Sequence, residues 1–205
     1  MSEARPFNGD ALARQNALKS AVLDRIVILD GAMGTMLQRA KLTEADFRGD
    51  EFLDHPVRLQ GANDVLCLTK PEVVRGVHKE YLEAGADIVE TNTFNATSIS
   101  MADYELEEYV YAINVAAAQC AVDAVAEIEK LHPGRVCWVA GSIGPTTKTT
   151  SLSPDVNDPA YRAVTFEELV VAYGEQVRGL LDGGVDILMP ETTIDTLNLK
   201  AALYA

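Results

Sequence analysis

Apolar and polar positions recur with two different periods along the chain, and each change of period marks an element. "RIVILD" (25–30) is a compact β-branched run ending at glycine, which predicts a fully buried strand. "NDVLCL" (63–68) predicts a second strand, leading into "TKPEVVRGVHKEYLEAGA". There Pro71 sits in the first turn of a helix, where its missing N–H costs nothing. Val74, Val77, Tyr81 and Leu82 share one face of that helix, and Gly85 stops it. "DIVET" (87–91) is the third predicted strand. The longest helix falls within 104–131, where Val110, Ile113, Ala117, Cys120, Ala121, Ala124, Ile128 and Leu131 recur at helical spacing. "HPG" (132–134) ends it, and "VCWVAG" (136–141) predicts the fourth strand. After a polar loop, Thr165 and Glu168 form a capping box. The following helix buries Leu169, Val170, Tyr173, Val177, Leu180 and Leu181, and Gly183–Gly184 close it. "VDILMPE" (185–191) predicts the fifth strand.

A faint repeat runs through this pattern. "LEAGADI" (82–88) and "LLDGGVDI" (180–187) share the order helix end, glycine, Asp, Ile, strand, and both run on into Glu-Thr. Strands separated by helices need long crossovers and so build a parallel sheet. Polar residues follow the apolar runs at the same edge: Asp30-Gly31, Glu90-Thr91-Asn92, Gly141-Ser142 and Gly144, and Glu191-Thr192. Active-site groups cluster at that edge in a (β/α)8 barrel. The expected fold is therefore α/β, of the (β/α)8 TIM-barrel type, truncated after about five βα units, because such a barrel takes about 250 residues. Residues 1–23 read as a polar, helical extension and residues 24–205 as the partial barrel.

Charge and composition narrow the function. With 31 Asp+Glu against 17 Lys+Arg the formal charge is −14, and no basic cluster suggests nucleic acid. "MSEARPFNGD" has no apolar signal region, and no run approaches the 18 or so apolar residues of a membrane span. Three dispersed cysteines, Cys67, Cys120 and Cys137, fit neither a disulfide framework nor a zinc spacing. A reduced, cytoplasmic protein without membrane partners is expected.

Candidate chemistry starts at Asp30. It either caps the following helix or turn, or is held in the barrel mouth to pair with a cation. Glu191 repeats that arrangement, and two converging acids could clamp an ammonium or supply a general base. "GAMGT" (31–35) matches no phosphate-binding fingerprint. Its glycines fit a tight turn or a close backbone approach to a ligand. Ser142 lacks the flanking pattern of a nucleophile elbow. His55, His78 and His132 lack catalytic partners, and the three thiols read as structural.

Taken together, "ILDGAMGTMLQ", "AGADIVETNTFNAT", "GSIGPTTKT" and "DILMPETTIDTLNLKAA" resemble the homocysteine-binding module of cobalamin-dependent methionine synthases. "ISMADYELEEYVYAIN" and "LSPDVNDPAYRAVTFEELVVAY" strengthen that likeness over the cobalamin-free relatives. The resemblance covers roughly residues 24–205 and implies a barrel that binds homocysteine and zinc, with the thiolate attacking methylcobalamin. It implies that Asp30 and Glu191 hold the substrate ammonium, that the backbone of Gly31, Ala32 and Met33 lies near its carboxylate, and that Asn92 lines the site. The family's zinc ligands are three cysteines after the sixth and eighth strands, which match no cysteine here. Zinc and cobalamin thus belong to the full-length enzyme, with neither expected on this chain alone. No turnover by the chain alone is expected, and folate, cobalamin and reactivation modules would be its partners. Two alternatives remain: a cobalamin-independent homocysteine S-methyltransferase using betaine or S-methylmethionine, and a non-catalytic half-barrel binding or interaction protein that closes by self-association.

Overall fold

The computed structural model describes residues 10–205; the first nine residues of the expected N-terminal extension lie outside them. The helices before the sheet are α1 (Asp10–Asp24), α2 (Met33–Arg39), α3 (Glu44–Arg48), α4 (Leu66–Thr69) and α5 (Pro71–Ala84). Then come β1 (Ile88–Glu90), α6 (Ser98–Met101), α7 (Val110–Leu131), β2 (Trp138–Ile143), α8 (Phe166–Gly183), β3 (Ile187–Pro190) and α9 (Thr196–Tyr204). The three strands are parallel in the order β1-β2-β3, with Ile88 opposite Trp138 and Ala140 opposite Ile187. The sheet does not close among the described residues. It has the βαβ architecture that the alternating pattern predicted.

Local sequence explains most of these elements. Pro71 opens α5, and Gly85, at φ 110°, ends it with left-handed backbone. The Thr165–Glu168 capping box starts α8. Helix α7 buries Val110, Ile113, Ala117, Cys120, Ala121, Ala124 and Ile128 as expected, but leaves Leu131 exposed. Together with its preceding turn, Glu107–Leu131 is long and apolar enough to cross a membrane, contrary to the reading that no stretch approaches this. Half of that stretch is buried, and its buried apolar residues belong to the two core clusters beneath the helices.

Two expected strands are absent. Residues 25–30 lie beside β1 through a single parallel bridge, Leu29 to Ile88, and Ile26 is 82% exposed rather than buried. This segment has β1 on one side and no described strand on the other, so its β-branched residues find no second layer. "NDVLCL" is helical, a 3-10 turn at Asn63–Val65 running into α4. A short apolar run fits a buried helix as well as a strand, and here Asp64 accepts the Asn95 N–H at 3.0 Å, fastening the turn to the loop after β1.

The sequence repeat has a structural cause. Asp87 takes both Arg25 guanidinium nitrogens at 2.8 Å and the Ile28 N–H at 2.9 Å. Asp186, its counterpart, takes Arg14 Nε at 2.6 Å and the Val139 N–H at 2.9 Å. Each aspartate ties the start of its strand to the neighbouring segment at the end of the sheet away from the polar loops. Arg14 belongs to α1, whose Arg14 carbonyl also accepts Trp138 Nε1 at 3.1 Å, so α1 docks across that end.

Candidate functional site

Because the strands and the edge segment run in parallel, their C-terminal ends lie on one side and their polar followers converge there. They line a cavity of about 280 Å³. Asp30 enters from the edge segment, Glu90 from the end of β1, Ser142 from β2 and Glu191 from just beyond β3. The structure therefore brings together all six expected residues, Asp30, Gly31, Ala32, Met33, Asn92 and Glu191, from three separate stretches of chain.

Asp30 does not cap α2: Ala32 occupies that position, with no side-chain bond. Asp30 Oδ1 instead accepts the Glu90 N–H at 3.0 Å. Burial pushes its carboxyl up to about 7, the charge of Glu191 adds to this, and the backbone N–H groups oppose it. Burial likewise raises Glu90, helped by the charges of Glu191 and Asp30. Ser142 Oγ donates to Glu191 Oε1. No lysine, arginine or histidine is among the described residues lining the cavity. Three carboxylates so placed repel one another, and a cation entering between them relieves that repulsion.

The glycine loop behaves differently from a tight turn. A Cβ on Gly31 would meet no atom within 4 Å, so the missing side chain opens the backbone to the cavity. The left-handed residue is Ala32, at φ 45°, and Thr192 beside Glu191 is left-handed too, at φ 48°. Such backbone in a non-glycine residue costs about 1–2 kcal/mol and collects at functional sites. Asn92 lines the cavity, but its amide nitrogen is spent on the Asn63 carbonyl at 2.7 Å and on Cys67 Sγ at 3.6 Å.

Two acids escaped the sequence reading of the site. Glu90 was legible in principle, since the repeat sets Glu90-Thr91 beside Glu191-Thr192. Asp64 was hidden by the mistaken strand at 63–68. It is fully buried against the cavity, and burial raises it to about 6. The histidines lie elsewhere: His55 Nε2 meets the Tyr104 carbonyl at 2.7 Å, and His78 is buried with neither ring nitrogen bonded. Burial lowers His78 to about 4, so it stays neutral.

These residues do not fit a zinc ion. Among the described residues no three of His, Cys, Asp and Glu are placed to hold a metal. Cys67, Cys120 and Cys137 are buried, and burial raises all three thiols, which disfavours the thiolate that zinc needs.

The family model for homocysteine S-methyltransferase matches residues 27–205. Among solved structures, the chain is similar to the homocysteine methyltransferase MmuM of Escherichia coli. The metallated form matches at 26% identity and TM-score 0.68, covering 92% of this chain. The oxidized form matches at 27% identity and TM-score 0.66, covering 89% of this chain. The chain spans about 60% of the length of those proteins, 60% of the first and 59% of the second.

Proposed function

We propose a function from one premise: the chain belongs to the homocysteine S-methyltransferase family, whose model matches it over residues 27–205. It supplies the amino-acid-binding part of an enzyme that moves a methyl group onto the thiol of homocysteine. The observation that carries this reading is the convergence of Asp30, Glu90 and Glu191 on one cavity with no basic side chain among the described residues of its lining. The substrate ammonium sits among these carboxylates and displaces the proton that burial keeps on Asp30. The substrate carboxylate lies over the backbone of Gly31–Met33, where the open space at Gly31 admits it. The chain's residues hold and orient the amino acid. In the full-length enzyme a zinc ion would activate the thiol, and the residues described here do not provide its site.

Two methyl donors are in question. The motifs around "SPDVNDPAYR" favour methylcobalamin in a methionine synthase, with folate, cobalamin and reactivation modules as partners. The likeness to MmuM supports the other reading, a cobalamin-independent homocysteine S-methyltransferase, and we prefer it because that likeness extends over 92% of this chain. Calorimetric titration with L-homocysteine tests the common part. Asp30→Asn and Glu191→Gln should each weaken binding at least about tenfold, the value of one hydrogen bond to a charged group. Unaltered binding in both variants would remove the reading. Supplying methylcobalamin or S-methylmethionine to the full-length enzyme separates the donors.

A further inference from the structure

Ser142 has no obvious duty at the end of a buried strand, yet both sides of its peptide are clamped. Its N–H donates to Thr91 Oγ1 at 3.0 Å, and its carbonyl accepts Thr93 Oγ1 at 2.7 Å. The two threonine hydroxyls are 2.7 Å apart. Since the Thr93 proton goes to the Ser142 carbonyl, Thr91 donates to Thr93, and the ring of bonds closes on itself. From α8, Gln176 Nε2 donates to the Thr93 carbonyl at 2.9 Å and reaches the Ser142 carbonyl at 3.4 Å. Thr91, Thr93, Ser142 and Gln176 are all buried, so solvent does not compete for these bonds. One group of Ser142 is left out of the ring, its hydroxyl, and that group donates to Glu191 Oε1.

We propose that Ser142 is a positioning residue: the threonine–glutamine ring fixes its backbone so that its hydroxyl holds one oxygen of Glu191 and turns the other toward the substrate ammonium. This rests on the function proposed above and adds to it the residue that decides amino-group selectivity. The other oxygen, Glu191 Oε2, takes a longer bond from Thr192 Oγ1 at 3.3 Å and keeps a lone pair for an ammonium. The Ser142 bond comes from the neighbouring strand and fixes which of the two oxygens that is.

The test compares L-homocysteine with 4-mercaptobutyrate, which has the same thiol and carboxylate but no amino group. The ratio of their affinities is measured by competition titration on the intact chain. Ser142→Ala should narrow that ratio about tenfold by weakening homocysteine alone. Should Ser142→Ala fail to fold, Ser142→Cys keeps the volume with a weaker donor and should narrow it about threefold. An unchanged ratio, whether both affinities fall together or neither does, overturns the inference, since a general loss of structure acts on both ligands. Wild-type protein that binds no homocysteine overturns the function proposed above and this inference with it, a result distinct from an unchanged ratio in a binding protein.

Discussion

At Asp30 the side chain and its surroundings are in direct conflict. Its carboxyl titrates near 7 in the folded chain against 3.8 for the free group, chiefly through burial. The native state therefore holds this proton more tightly than the unfolded state does, and stability falls as pH rises from about 4 to about 7. Asp30→Asn keeps an oxygen for the Glu90 N–H and removes the ionisation. It should match the wild type in thermal unfolding at pH 4 and exceed it at pH 8 by about 3–4 kcal/mol, or roughly 6–16 °C. Equal melting temperatures at both pH values would show that burial does not raise this carboxyl as described. Gathering these acids in one cavity thus costs stability at neutral and higher pH. The sequence revealed Asp30 and Glu191 because acids after apolar strands are conspicuous. It could not reveal the fully buried Asp64, whose burial comes from the loop after β1 folding over it.

At the scale of elements, adjacent glycines serve unlike purposes. Gly184 stops α8 with left-handed backbone, at φ 95°, as the sequence predicts for the pair. Gly183 instead lets α8 approach α7: a Cβ there would stand 2.4 Å from Ala118 Cβ and 2.8 Å from the Val115 carbonyl oxygen. Gly179, one turn earlier, is somewhat less tight, with Asn114 Cβ at 2.8 Å. Gly183→Ala should destabilise by about 1–3 kcal/mol, seen as a lower urea midpoint with an unchanged slope. Helix ends were legible because caps are local chemistry. The α7–α8 contact was not, since it joins residues far apart in the chain.

At the largest scale, the described residues form an open sheet with helices packed around it and an apolar segment along one edge. Ile26 and Ile28 are 82% and 49% exposed there, beside the single bridge to β1. Edges of this kind invite pairing with other chains. Ile26→Lys should lower concentration-dependent light scattering while leaving the melting temperature within about 0.5 kcal/mol equivalent, the usual effect of a surface change. Scattering equal to wild type would show that this edge does not associate.

The sequence by itself determined the alternation of helix and strand, the caps that bound the helices, and the acids that follow the strands. All of these are set by neighbours within a few residues, through periodicity and backbone chemistry. Only the tertiary structure decided that residues 25–30 form an exposed edge and that residues 63–68 are helical. It also decided that Glu90 joins Asp30 and Glu191 in one cavity. Those outcomes depend on which segments lie alongside, and burial is a property of the assembled sheet rather than of any run within it.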